Sequence, residues 1–233
     1  MVLIVAEKNL ISFIYNARLN SSKELALEII EKLDLSETSW LSSAGDLVSH
    51  EIQLSNTRIA IIIGGDGTIL RSTRILSPHG IPVVGVKMGK VGFMAELNPI
   101  EVFEKLPRFL DPENISDGSI RTESRMMLEA NITSDNSNGS RMTIHALNDV
   151  TVGTSQTARL VELEAYINET HLTNYRADAI ITSTATGSTG YALSAGGPIV
   201  FPEAELMILQ PVAPHTGLRD GIVLSPSSTI RLN

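Results

Sequence analysis

The chain has 233 residues, 42% of them apolar and 4% aromatic, which allows one large or two small domains with mostly aliphatic cores. Its net charge of −8 argues against a nucleic-acid or anionic-membrane surface, though not against a small anionic ligand held in a local basic cleft or through a divalent cation. The absence of cysteine excludes disulfides and thiolate metal sites and suits a reducing cytoplasm. The histidines at 50, 79, 145, 171 and 215 are too scattered for a zinc site. Glu7 and Lys8 interrupt the opening apolar run, so no signal peptide is expected, and no apolar run approaches membrane-spanning length.

Val2–Ala6 reads as a short buried strand. Ser21-Ser22-Lys23-Glu24 has the form of a capping box, ahead of a helix with Leu25, Ile29, Ile30 and Leu33 on one stripe. Ile59–Ile63 is continuously apolar, as a strand covered on both faces would be, and it runs into Gly64-Gly65-Asp66-Gly67-Thr68. Thr68–Ser77 follows as a helix closed by Pro78 and Gly80, and Ile81–Val86 as a strand. Gly85, Gly89 and Gly92 surround Lys87 and Lys90 in a second glycine-rich loop. Asn98-Pro99 opens a helix with Val102, Phe103 and Leu106 inward, which Pro107 is expected to bend or end. This alternation predicts an α/β N-terminal domain over 1–110 with an open, mostly parallel sheet. Such sheets bind ligands beyond the carboxyl ends of their strands.

After a polar, turn-rich stretch at Asp111–Thr122 the pattern changes to period two. Strands are expected over Met127–Ile132, Thr143–Val152, Leu160–Ile167, Ala179–Thr182, Leu206–Gln210, Ile222–Leu224 and Thr229–Leu232. Ser134–Ser140 and Asn168-Glu169 read as hairpin connections. The prediction for 111–233 is a β-rich antiparallel C-terminal domain.

Three constellations carry chemistry. A carboxylate among glycines at a strand exit repels phosphate, so Asp66 suits a group that accepts a proton from an attacking hydroxyl or faces a bound Mg²⁺; a tight-turn Asp is the plainer alternative. Leu147-Asn148-Asp149-Val150 puts two poor strand formers inside an apolar run, at a strand end or facing a polar ligand. Thr182–Tyr191 is dense in hydroxyls and glycine, suited to phosphate and ribose oxygens, and continues into Ser194-Ala195-Gly196-Gly197-Pro198. Upstream, Arg176 and Asp178 two apart on a strand share one face, where they pair or bind a ligand. Among the basic residues, Arg71, one helical turn past Asp66, is the best placed to reach phosphate; Lys87, Lys90 and Arg159 are further candidates.

In this order, Gly64–Thr68, Leu147–Asp149, Thr186–Tyr191 and Ser194–Pro198 resemble the NAD kinase family. Gly85–Phe93, Tyr175–Asp178 and Pro211–His215 support the likeness, which covers roughly residues 55–230. The resemblance implies transfer of the terminal phosphoryl group of ATP, or of polyphosphate, with Mg²⁺, to the 2′-hydroxyl of the adenosine ribose of NAD, giving NADP. It implies a cytoplasmic homodimer or homotetramer with NAD between the two domains, and no nucleic-acid or membrane partner. By the same resemblance Asp66 is the proton acceptor, with Gly67 beside it and Arg71 on phosphate. Asn148 and Asp149 match the pair that holds ribose and adenine. Thr186 and Thr189, Gly190, Tyr191, Ala192, Leu193 and Ser194 match the adenine-side loop. Arg176 and Asp178 match residues near the nicotinamide, and Arg159 a position often basic. Asp149 stands where the family usually has Glu, Lys87 where Asn is common, and Gly190 where Ala is frequent. The family continues past the strand resembling Ser228–Leu232, so a chain ending at Asn233 reads as truncated. Two alternatives remain open from the residues: a lipid-hydroxyl kinase of the diacylglycerol or sphingosine kinase type, whose glycine loop is similar, and a non-catalytic nucleotide-binding module.

Overall fold

The computed structural model describes residues 8–89, 94–133, 141–154 and 159–233. The expected strand Val2–Ala6, Lys90–Phe93 of the second glycine loop and the Ser134–Ser140 connection lie outside these residues. The chain divides into two compact units, Met1–Thr122 and Glu123–Asn233.

The first unit alternates strand and helix: β1 (Leu10–Tyr15), α1 (Asn20–Lys32), β2 (Ser39–Ser43), α2 (Glu51–Ser55), β3 (Thr57–Gly64), α3 (Asp66–Leu76), β4 (Val83–Lys87), α4 (Val102–Leu110) and α5 (Pro112–Ser116). The sheet order is β2-β1-β3-β4 and every pairing is parallel. Ile59, Ile61 and Ile63 of β3 pack with Phe13, Val84 and Val86 against α1 and α4. Ala60 and Ile62 face the other way, with Ile14, onto Ile69 and Leu76 of α3 and Leu54 of α2. Coverage on both faces is why β3 is continuously apolar from Ile59 to Ile63 rather than at alternate positions.

Two local expectations are revised. Ser21 does not cap α1: the helix already starts at Asn20, Leu19 holds the N-cap position without a side-chain bond, and the neighbouring Ser22 hydroxyl, buried, accepts from the Asn16 N–H at 3.1 Å and donates to the Leu19 carbonyl at 2.7 Å. Pro107 does not end α4, which runs on to Leu110 because Leu106 and Leu110 are both held in the core. The turn ahead of α4 is locked reciprocally, Asn98 Oδ1 accepting from the Ile100 and Glu101 N–H groups while Glu101 Oε1 accepts from the Asn98 N–H.

The second unit is antiparallel throughout: β5 (Leu128–Thr133), β6 (Arg141–Ala146), β7 (Asp149–Gly153), β8 (Val161–Ile167), β9 (Thr170–Ala177), β10 (Ala179–Thr184), α6 (Tyr191–Ser194), β11 (Met207–Val212), β12 (Ile222–Leu224) and β13 (Ile230–Leu232). Its strands form a four-stranded sheet β12-β11-β10-β7, a three-stranded sheet β13-β8-β9 and the pair β5-β6. Asn168 and Glu169, at φ 49° and 64°, make the left-handed two-residue turn that joins β8 to β9. The expected single strand Thr143–Val152 breaks at Leu147-Asn148, because β6 pairs with β5 whereas β7 pairs with β10.

Ile180 and Leu209 of the four-stranded sheet pack with Ala165, Tyr175 and Ala177 of the three-stranded sheet. Partners across a ladder share a face, so the rows Asp149–Ser183–Ile208 and Thr151–Ile181–Gln210 look away from that core. Ile62 has no exposed surface. Ile62→Ala is expected to lower the unfolding free energy by about 2–5 kcal/mol, read from urea denaturation.

Candidate functional site

At the carboxyl end of β3 the chain turns without spare length into α3. A Cβ on Gly64 would stand 2.5 Å from Thr68 Oγ1, so only glycine permits that approach. Gly65 occupies the N-cap position, and its carbonyl receives the Thr68 and Ile69 N–H groups at 2.8 and 3.2 Å. Asp66 is thereby the first residue of α3, half-buried, with Gly67 exposed beside it. Asp66 stands at the positive end of the α3 dipole. The Met88 N–H donates to the Gly64 carbonyl at 2.9 Å and Gly64 pairs with Lys87, which draws Lys87 and Met88 alongside the glycine turn. Arg71 lies five residues past Asp66, so it shares the exposed face of Gly67 rather than that of Asp66.

In the second unit the Leu147-Asn148 break is gripped by the end of β10. The Thr184 N–H and Ser183 Oγ both donate to the Asn148 carbonyl, at 2.8 and 3.2 Å, and Thr184 Oγ1 donates to the Leu147 carbonyl at 2.6 Å. Thr184 Oγ1 in turn accepts the Gly187 N–H at 3.1 Å. Gly187 sits so close that a Cβ would stand 2.2 Å from the Asn148 carbonyl oxygen. The Asn148 side chain thus reaches the turn at Gly190, with Nδ2 3.8 Å from the place a Gly190 Cβ would take. Its Oδ1 is buried and takes no hydrogen bond from the described residues, an arrangement that favours a ligand donor such as a ribose hydroxyl or a base amine. Asp149 opens β7 next to it. Burial pushes its carboxyl above the ordinary range, and the hydrogen bond from Thr151 Oγ1 at 3.3 Å partly opposes this.

Thr186–Thr189 forms one 3₁₀ turn and leads through Gly190 into α6. Ser188 is buried and anchored on Val200, accepting its N–H at 3.0 Å and donating to its carbonyl at 3.2 Å. Ala192 is buried, whereas Thr189, Tyr191, Leu193 and Ser194 are exposed. Thr186 Oγ1 accepts from Arg125 Nη1 at 3.5 Å. Arg125 escaped the sequence reading because nothing in its neighbourhood separates it from surface arginines.

Asn148, Asp149, Thr186 and Gly190 are therefore brought together. Arg176 and Asp178 do not share a strand face: β9 ends at Ala177, Asp178 sits in the link to β10, and Arg176 faces Glu162 Oε1 on β8 at 3.6 Å. Arg159 is exposed in the link between β7 and β8. A cavity of about 390 Å³ opens at the opposite, amino end of the parallel sheet, among Ile11, Leu33, Leu35, Arg58, Pro107 and Leu110. Arg58 there donates to the Leu110 carbonyl at 2.7 Å, and burial lowers its pKa. That basin is remote from the carboxyl strand ends, where the chemistry-bearing side chains of this unit stand, so we do not assign it the site. Among the described residues no cluster of three or more His, Asp or Glu is placed to hold a metal, and no helix is long and apolar enough to cross a membrane.

A parallel α/β unit with an acid in a glycine turn, followed by an antiparallel unit with a clamped, hydroxyl-rich loop, defines a class of nucleotide-handling proteins. Residues 48–114 match the family model described as ATP-NAD kinase N-terminal domain, and residues 147–233 that of the ATP-NAD kinase C-terminal domain. The NAD kinase of Dehalococcoides mccartyi is 38% identical over 223 residues, 95% of this chain and 76% of that protein. The NAD kinase of Caldanaerobacter subterraneus subsp. tengcongensis is 40% identical over 178 residues, 76% of this chain but 60% of the relative's length. The fold superposes on yeast NADH kinase complexed with NADH at a TM-score of 0.82, covering 97% of this chain and 72% of that one at 24% identity. It superposes on the Archaeoglobus fulgidus NAD kinase in complex with ATP at 0.67, covering 95% and 79%, also at 24% identity. The chain belongs to the NAD kinase family. The second match contains Thr186–Pro198, for which a lipid kinase has no expected counterpart, and that reading is set aside. The non-catalytic alternative likewise gains no support.

Gly187→Ala is expected to force the loop off the Asn148 carbonyl, read as at least tenfold faster amide hydrogen exchange at Thr184 and Ser188. A carboxyl raised in the folded state costs no stability below its unfolded pKa and costs most once it is ionised. Asp149→Asn should therefore equal the wild type near pH 3.5 and gain on it as pH rises through the acid range to neutrality, read from denaturant unfolding at both pH values.

Proposed function

We propose that the chain is an NAD kinase, transferring the terminal phosphoryl group of ATP, or of polyphosphate, to the 2′-hydroxyl of the adenosine ribose of NAD to give NADP. The observation that carries this reading is the buried, unpartnered Asn148 Oδ1 beside the hydroxyl-rich loop, in a chain that also presents one half-buried carboxylate in a glycine turn. The relatives named NAD kinase, at 38% and 40% identity, support it.

Phosphoryl transfer asks for positioning and for charge neutralisation. Asp66 accepts the proton of the ribose hydroxyl as it attacks, while Gly67 leaves room for the phosphates and Arg71 offsets their charge. Asn148, Asp149 and the Thr186–Ser194 loop hold adenine and ribose. Arg159, Arg176 and Asp178 attend the nicotinamide side. A loop carboxylate with no acidic cluster beside it among the described residues fits a Mg²⁺ held chiefly by donor phosphates, with Asp66 the loop residue that would face it. When bound, the ion neutralises charge on the transferred group. The reading includes a homodimer or homotetramer in the cytoplasm. The opposed, exposed pair Ile132 and Met142 on β5-β6 supports assembly, and the lack of cysteine supports the compartment.

Incubation with NAD, ATP and Mg²⁺ should yield NADP, and a parallel run with polyphosphate identifies the donor. Asp66→Asn is expected to cut kcat by about 10²–10⁴ while NAD affinity stays within a few fold. Equal loss of both would mean that Asp66 only shapes the loop.

A further inference from the structure

Gln210 lies in the middle of β11, 2% exposed, in an otherwise apolar strand. It belongs to the row Thr151–Ile181–Gln210, on the face that looks away from the Ile180–Leu209 core and that Asp149 shares one row along. A buried amide is costly where its groups go unpaired; here both donors are used, Nε2 donating to the Ala195 carbonyl at 3.0 Å and to the Pro211 carbonyl at 3.1 Å, while Oε1 is buried without a partner among the described residues. Ala195 directly follows α6. The Ala195, Gly196 and Gly197 N–H groups fold back onto Tyr191, Leu193 and Ala192 at 3.0, 2.9 and 2.8 Å, which closes the turn. The carbonyl of Ala195 is left at the end of that turn, where the helix itself offers no donor, and Gln210 supplies one from the sheet. Room for the amide comes from a second glycine: a Cβ on Gly221 would stand 2.2 Å from Gln210 Oε1.

We infer that Gln210 is a positioning residue that fastens the end of the Tyr191–Ser194 turn to β11 and so holds the Thr189–Ser194 face in its nucleotide-binding form. The inference rests on the functional reading above for the identity of the ligand. Ser188 pins the front of the loop to Val200 and Gln210 pins its back, so between them the exposed Thr189, Tyr191, Leu193 and Ser194 are presented on a closed span. Loss of the rear tether leaves the acid at position 66 untouched. Ground state and transition state should then lose binding equally, which raises KM without lowering kcat.

Gln210→Met keeps the length of the side chain and removes the donor. In the full 233-residue chain, amide hydrogen exchange at Ala195, Gly196 and Gly197 should accelerate at least tenfold with β10 unchanged. The NAD dissociation constant and KM should both rise at least tenfold, with kcat within twofold. Gly221→Ala, whose methyl displaces the amide oxygen, should reproduce the pattern and carries the test if the methionine variant does not fold. Unchanged exchange and affinity, a lower melting temperature with unchanged affinity, or a fall in kcat at constant KM would each overturn the inference. A wild-type chain that binds NAD but forms no NADP counts against the kinase reading alone, since exchange and affinity still report on the tether. A wild-type chain that does not bind NAD overturns both.

Discussion

The backbone carbonyl of Asn148 is the point on which the polar surface of the second unit is assembled. It receives a main-chain N–H from Thr184 and a hydroxyl from Ser183, and Gly187 packs against it at a distance no side chain would allow. These contacts join residues far apart in sequence, 148 and 183–187, and leave the Asn148 amide facing the Gly190 turn. Without them β7 would still pair with β10, but the loop that follows β10 would have no fixed origin. The order of a binding surface is worth affinity because it need not be created when the ligand arrives.

The first unit solves a different problem. Its parallel sheet is sealed on both faces by aliphatic side chains, so the glycine turn leaves the core at the carboxyl end of a strand that has no freedom to slip. An acid at the first position of α3 then has a defined direction, at the positive end of the helix dipole. The role proposed for that acid, accepting a proton, asks for that rigidity.

Much of this was legible from residue order. Continuous apolar runs marked β3 and β4, period-two alternation marked the antiparallel unit, and Asn168-Glu169 marked its turn. Elsewhere tertiary context overrode local signals. Leu10–Tyr15 forms β1 although Ser12 interrupts its pattern, because the strand is hydrogen-bonded to β2 on one side and β3 on the other. The Ser21–Glu24 cap signature failed since α1 starts at Asn20, which puts Ser21 inside the helix, and Pro107 failed as a stop since core contacts on either side hold the helix. Arg176 and Asp178 were separated by a strand end that alternation does not reveal. Gln210 did leave a trace: a polar residue inside Met207–Val212 is the same kind of anomaly that drew attention to Asn148-Asp149.

The β5-β6 pair belongs to neither of the larger sheets, and two strands alone have little means of sustaining themselves in water. Half of its facing pairs are polar, Glu129 opposite His145, Asn131 opposite Thr143 and Thr133 opposite Arg141, and the apolar pair Ile132 and Met142 is exposed. Local opening there forfeits little buried apolar surface, so this ribbon is where a protease would nick the second unit first, well before the packed core between its two larger sheets gives way.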